Sequence, residues 1–452
     1  MERTALTPIQ KNSFFLVNLG CAKNLVDSNV ISQILTSAGY KPSRTQREAN
    51  FVIINTCGFI HDARVESHDK IAKAIKNRRK GQHIIASGCL SQRLNEELYQ
   101  QFPTLDALVG TRNLKDVLVR LRELSESGKP ARASLPAYSK LTLDPDLSNT
   151  LIQGGSSYLK IADGCHRTCA FCAIPLIKGP LVSRSAESVI HDALALQAAG
   201  VKEINLIAQD TTAYGVDRGE SDALANLLTE LLPRIPSVPW VRLLYTYPGL
   251  LSDRLIDLMA AENQLLPYLD MPLQHADPAV LKAMSRPSNM EWVTETIAKM
   301  RRLIPDLVVR TTMIVGFPNE TEKSFSMLKK FIQEAKLDRL GVFTYSPETE
   351  TAAYALGDPI PAKVKEARKI ELLRVQEEIS RVKLKKLRGS KMEMLVEGFD
   401  PDENLLVGRT YRDAPEIDGL ALAHGSAKPG DMVSFVVTDT SEHDLFGKQE
   451  KK

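Results

Sequence analysis

Two long stretches of this chain alternate short, nearly continuous apolar runs with amphipathic segments of helical period, and no other feature narrows its possible folds as much. Between 13 and 125 the runs are FFLVNLG (14–20), NFVIINTC (50–57), QHIIASGC (82–89) and ALVGTRN (107–113), each followed by a helical pattern. Strands this uniformly apolar are buried on both faces, so a parallel sheet covered by helices is expected. From 157 to 347 six more runs keep the same rhythm: SYLKIADG, EINLIAQD, WVRLLYTYPG, YLDMPLQ, DLVVRTTMIVGFP and RLGVFTYSP. Right-handed crossovers curl such a repeat into a full or partial (β/α) barrel. Local signals agree. Gly39 suits the end of the first helix, Asp277 with Pro278 suits an N-cap and first turn, and Asn319 with Glu322 has capping-box spacing.

The remaining segments read differently. Residues 126–150, rich in Pro, Ser and Asp, have no sustained period and are expected to link two domains. Residues 362–388 form a long helix with ten Lys/Arg against four Glu. Beyond Gly389 five short strands separated by Asp, Pro and Gly turns suit a small OB-like β-barrel. The expected division is therefore an α/β domain at 13–125, a linker at 126–150, a barrel with its closing helix at 151–388, and a β-barrel at 389–450. A chain of 452 residues accommodates three such domains. The net charge of +3 does not by itself imply nucleic acid or a membrane surface. No apolar run approaches the roughly 18 residues of a membrane span. The first residues, MERTALTPIQKNS, lack a secretory apolar stretch, so the cytoplasm is the expected address.

Six cysteines fall into two sets of three. Cys165, Cys169 and Cys172 form a C-x3-C-x2-C cluster directly after the first barrel strand, at the strand end where such folds place active sites. Three thiolates at this spacing can wrap a [4Fe–4S] cube and leave one iron open. Zinc is the alternative, with His166 as a possible fourth ligand. The other three, Cys21, Cys57 and Cys89, each sit at the carboxyl end of a successive expected strand. In an open parallel sheet those ends share one rim, so cysteines far apart in sequence can converge there. Gly20, Gly58 and Gly88 adjoin them and ease close approach of backbone to a bulky ligand. One buried cysteine would be unremarkable; three in three successive units favour a second cube. Elsewhere the sequence has no P-loop, and its Gly-rich stretches lack the dinucleotide fingerprint.

The CxxxCxxC loop, with Phe171 before the third cysteine and six βα units around it, resembles the radical S-adenosylmethionine (SAM) enzymes. With the second cysteine set and the terminal barrel, nearly the whole chain resembles the radical SAM methylthiotransferases, whose terminal barrel is a TRAM domain. NLGCAKNLVDS (18–28), YLDMPLQHAD (268–277) and GRTYRDAPEIDG (408–419) resemble the branch acting on small-subunit ribosomal protein twelve. The resemblance implies two [4Fe–4S] clusters, with Cys165, Cys169 and Cys172 on the radical-generating one and Cys21, Cys57 and Cys89 on the auxiliary one. It implies SAM both as methyl donor and as source of a 5′-deoxyadenosyl radical. It also implies an electron donor, a sulfur source and a methylthio group added to the β-carbon of an aspartate.

Candidate SAM or substrate contacts are Gln209 and Gln274 at strand ends, Arg310 at the start of the fifth strand, and Gly316, Phe317 and Pro318 at that strand's end. By resemblance Phe171 and the 316–318 turn would pack near adenine or methionine. Charge bears on the partner. Residues 390–447 carry twelve Asp/Glu and four Lys/Arg, a net of −8. A barrel that grips RNA should be basic, whereas an acidic one suits a basic protein. A solvated acidic face is the plainer explanation. The basic helix at 362–388 leaves RNA contact open without requiring it. The rival substrate is a tRNA adenosine, and the rival of another class is a zinc-stabilised scaffold without catalysis.

Overall fold

The computed structural model describes residues 9–128, 130, 132–137, 148 and 150–450. In the first block, β1 (Gln10–Asn18), α1 (Ala22–Ser37), a two-residue edge strand β2 (Lys41–Pro42) and β3 (Ala49–Thr56) are followed by α2 (His61–Lys76) and β4 (His83–Gly88). Then come α3 (Cys89–Leu94), α4 (Glu96–Gln101), β5 (Ala107–Val109) and α5 (Asp116–Ser127). The five strands form one parallel sheet in the order β2-β1-β3-β4-β5. In β3, Phe51, Val52, Ile53 and Ile54 are all buried because helices cover both sheet faces, which is why the run carries no polar alternation. Helix α1 ends where expected: Gly39 takes φ +88°, a conformation that costs a glycine little. The helical pattern at 92–102 breaks in two at Asn95, which has φ +47°.

The expected linker is less loose than its composition suggests. Its residues 138–147 lie outside the described residues, but Leu135 is buried against the first block, its N–H donates to Asn95 Oδ1 at 2.9 Å, and Gln92 donates to the Pro136 carbonyl at 2.8 Å. One apolar side chain and two side-chain amides are enough to dock a segment that has no secondary-structure period.

The second block opens on β6 (Thr150–Gln153), an antiparallel strand that begins at the last residue of the stretch read as linker and pairs to β7 (Ser156–Lys160). After β8 (Ala162–Asp163), α6 (Ile174–Lys178) and β9 (Val182–Ser183), the expected alternation follows. It comprises α7 (Ala186–Ala198), β10 (Glu203–Ile207), α8 (Ala223–Leu231), β11 (Trp240–Leu243), α9 (Asp253–Ala261) and β12 (Tyr268–Asp270). It continues through α10 (Pro278–Ala283), α11 (Met290–Leu303), β13 (Val308–Val315), α12 (Glu322–Ala335) and β14 (Arg339–Thr344). The six expected barrel strands, β7, β10, β11, β12, β13 and β14, are all present. They run as two parallel sheets, β7-β10-β11 and β12-β13-β14, joined by a single bridge between Val241 and Leu265. Asp277 caps α10 through Ala279 N–H at 2.8 Å, as expected. Asn319 does not cap the next helix. Thr321 does, accepting from Ser324 N–H at 3.1 Å, because the helix starts at Glu322 rather than three residues earlier.

Helix α13 (Ala362–Lys385) crosses behind β14 and leads to five strands, β15 (Lys391–Asp400), β16 (Leu405–Arg409), β17 (Ala421–His424), β18 (Met432–Thr440) and β19 (Leu445–Gln449). They close into a barrel in the order β15-β16-β17-β19-β18 around Val396, Leu406, Phe435 and Leu445. A buried ion triad ties this barrel to the second block. Glu203 accepts from Arg242 at 2.9 Å and from Arg409 at 2.6 Å, all three side chains being inaccessible to water.

Candidate active site

All six cysteines are free thiols, and the fold gathers them at two adjacent places. Cys21 caps α1, Cys57 follows β3, and Cys89 is the first residue of α3 directly after β4. The three turns touch. A methyl group on Gly20 would meet Cys57 Cβ at 2.8 Å and its Sγ at 3.0 Å, and one on Gly58 would meet the Leu90 backbone at 2.8 Å. Asn24 holds them in register. Its Nδ2 donates to the carbonyls of Leu19 and Thr56, both at 2.9 Å, while its Oδ1 accepts from Cys89 Sγ at 3.5 Å. Nothing in the composition singled out Asn24, because an asparagine in the first turn of a helix is ordinary; its role depends on two other strand ends. Burial raises the pKa of the Cys57 and Cys89 thiols, so binding a metal cluster there must displace protons.

The second set lies on the loop from β8 to α6. Cys165 N–H donates to Gly179 at 3.1 Å and Cys172 N–H to Cys169 at 3.1 Å, which coils the loop on itself. The Cys165 thiol is pushed up by burial to about 11 and that of Cys172 to about 12. Arg286 reaches Cys169 Sγ at 3.6 Å and stacks on the Tyr247 ring, whose other cation is Arg167. The two sets share a wall: Cys89, Ala173 and Ile177 form one buried cluster, so α6 leaves Cys172 and runs straight onto α3. Beneath that wall lies a buried network in which Lys160 and Lys178 both contact Asp27 and Asp163.

The strand-end candidates fall into three groups. Phe171 and Phe317 join one apolar cluster with Ile314 and Tyr345, and Phe317 is edge-on to Tyr345 at 5.1 Å. Gly316 takes φ +76° against Lys365, and half-buried Pro318 follows. Gln209 donates to Asp163 at 2.8 Å and leaves its buried Oε1 unpartnered. Gln274 adopts φ +75°, bridging to β13 by backbone bonds with Thr312 and Ile314. Arg310 is engaged with Asp270 at 2.9 Å and Asp418 at 3.4 Å, so it joins the barrel mouth to the terminal domain. His275 is fully buried, its pKa lowered by burial to about 4, with Nε2 unpartnered.

The donor set, two groups of three free cysteine thiols, fits two sulfide-bridged cubes, each of which spreads its cysteines over separate irons. Gln209 Oε1 and His275 Nε2 are buried without a hydrogen-bond partner.

Known proteins point the same way. Residues 13–110 match the uncharacterized protein family UPF0004, 159–332 the Radical SAM superfamily and 389–449 the TRAM domain. A ribosomal protein uS12 methylthiotransferase of Syntrophotalea carbinolica is 40% identical over 446 residues, 97% of each chain. That of Vibrio cholerae is 43% identical over 448 residues, covering 96% of this chain and 92% of its own. That of Aquifex aeolicus is 41% identical over 438 residues, 96% of each. A solved radical SAM methyltransferase, TsrM from Kitasatospora setae, superposes with a TM-score of 0.56 at 16% identity over 75% of this chain and 74% of that one. At that identity the likeness concerns the fold.

Proposed function

The chain belongs to the family of ribosomal protein uS12 methylthiotransferases, and from that premise we propose that it adds a methylthio group to the β-carbon of an aspartate in that protein. The observation that carries this reading is the shared wall between two cysteine triads contributed by separate blocks of the chain. Cys165, Cys169 and Cys172 would hold the cluster paired with SAM, and Cys21, Cys57 and Cys89 the auxiliary cluster that presents sulfur. Together these groups supply a hydrogen-abstracting radical and a methylated sulfur, chemistry that no side-chain acid or base offers at an unactivated carbon.

The chain's own residues hold and shield these groups. Asn24 fixes the three turns of the auxiliary triad, and Arg286 donates to Cys169, placing positive charge beside a coordinating sulfur. Phe171, Phe317 and Pro318 would flank SAM with apolar surface. Gln209, Gln274 and Gly316 would offer it polar groups and open backbone, with Arg310 holding Asp270 in place. The parts 13–125, 151–388 and 389–450 would serve as sulfur-presenting, radical-forming and substrate-engaging units, joined by 126–150.

The terminal barrel supports a basic protein as partner over tRNA. Two of its four basic residues in 390–447, Arg409 and Arg412, are buried in ion pairs with the second block. Its open surface is therefore poor in the cations that grip phosphate. No helix among the described residues is long and apolar enough to cross a membrane, and a cytoplasmic setting, where ribosomes, an electron donor and a sulfur source meet, suits the reading. Incubating the reconstituted enzyme with SAM, reductant and either purified uS12 or tRNA tests it. Methylthio product on uS12 alone is expected; product on tRNA alone would refute it.

A further inference from the structure

Lys23 is a cation without a carboxylate of its own, and Cys21 is the group whose charge would act on it most strongly. It lies in the first turn of α1, two residues after Cys21, and reaches across to the second block, where its Nζ sits 3.1 Å from the centre of the Tyr245 ring. Among the described residues it has no hydrogen-bond or ion-pair partner. The nearby carboxylates are already engaged: Asp270 with Arg310 and the Tyr245 N–H, and Asp163 with Lys160, Lys178 and Gln209. A cation in the first helical turn also opposes the helix dipole, and this turn contains no acidic residue to offset it. Its platform is strained as well: Tyr245 holds φ +63°, a rare conformation for a bulky residue and one that tends to occur at functional sites. An unoffset helix end and a strained aromatic platform thus meet at one ammonium, and an incoming anion would offset the first.

We propose that Lys23 is the specificity-determining group that receives the carboxylate of the substrate side chain, holding its β-carbon at the mouth between the two cysteine triads. The inference rests on the reading of an aspartate in uS12 as substrate. It adds that the acid is recognised by the sulfur-presenting block itself, through a charge-assisted hydrogen bond from Lys23 Nζ, with the Tyr245 ring fixing the ammonium. An asparagine in place of the aspartate would leave Lys23 unsatisfied.

The test compares uS12 with a version whose target aspartate is replaced by asparagine, using reconstituted wild-type, Lys23→Met and Lys23→Arg enzymes. Affinity is read by fluorescence anisotropy, and iron, sulfide and SAM binding are measured on the same samples. Wild type is expected to prefer the aspartate form by about 30-fold or more, the low end for truncating one partner of a buried charge pair. Lys23→Met should erase that preference and Lys23→Arg largely retain it, with iron, sulfide and SAM binding unchanged. A preference that survives in Lys23→Met overturns the inference while leaving uS12 as substrate. So does a loss confined to auxiliary iron, which would assign Lys23 to Cys21, or one confined to SAM binding. A wild-type enzyme that modifies no uS12 overturns both.

Discussion

Lys178 Nζ lies 2.8 Å from Asp27 Oδ2, joining the helix that leaves the Cys172 loop to the helix that begins at Cys21. Both side chains are almost wholly buried, and Lys160 and Asp163 complete the network. Burial alone would lower the Lys178 pKa, but Asp163 and Asp27 outweigh it and hold the group charged. The two cysteine triads are thus fixed to each other by a structure that tolerates no missing member.

Asp27→Asn leaves two buried ammonium groups sharing one carboxylate. Removing one partner of a buried ion pair costs about 3–5 kcal/mol. Denaturant unfolding of the variant should show a loss of that size; a loss below about 1 kcal/mol would mean that water enters the network.

Cys57→Ala should separate the two clusters. Iron should fall from about eight to about four per chain, SAM cleavage should persist, and methylthio product should vanish. Cys169→Ala should lose both activities. If Cys57→Ala kept full methylthiolation, the auxiliary site would be misassigned.

Gly58→Ala tests how closely the turns must approach. The new methyl would sit 2.8 Å from the Leu90 backbone and 2.9 Å from the Cys89 carbonyl carbon, and backbone cannot swing aside as a side chain can. Iron analysis should show the auxiliary cluster depleted and the radical SAM cluster intact. Equal loss from both would point to general misfolding.

Glu203 gives a pH signature. Burial would raise its carboxyl, but Arg409 and Arg242 outweigh burial and bring it to about 2, below its unfolded value near 4.3. Its contribution, about 3 kcal/mol by linkage, is therefore present above pH ~4.3 and is lost as pH falls towards 2. Glu203→Gln should be less stable than wild type at pH 7, and the gap between them should narrow below pH ~4. A gap independent of pH would contradict the ionised triad.

Much of the fold was legible because its signals are local. Apolar runs such as 51–54 mark strands buried on both faces, and five short strands with polar turns mark the terminal barrel. The cysteines were legible because strand ends in a parallel sheet share a rim. Long-range pairing was not. Leu135 docks a Pro-rich segment by one side chain, and β6 exists because β7 offers it an edge. Nothing local in the sequence marks Lys160 and Lys178 as buried; the fold sets both on Asp27. Asn24 likewise has meaning only once Thr56 and Cys89 surround it. Arg310 reads in sequence as the start of a strand, but its partner Asp418 lies more than a hundred residues away.

Mass spectrometry of uS12 after incubation with the anaerobically reconstituted enzyme, SAM and a reductant tests the central claim most directly. One aspartate should gain a methylthio group in place of a hydrogen, in wild-type samples and not in Cys57→Ala or Cys169→Ala samples. Unmodified uS12 from an enzyme carrying its full iron and sulfide would contradict the account.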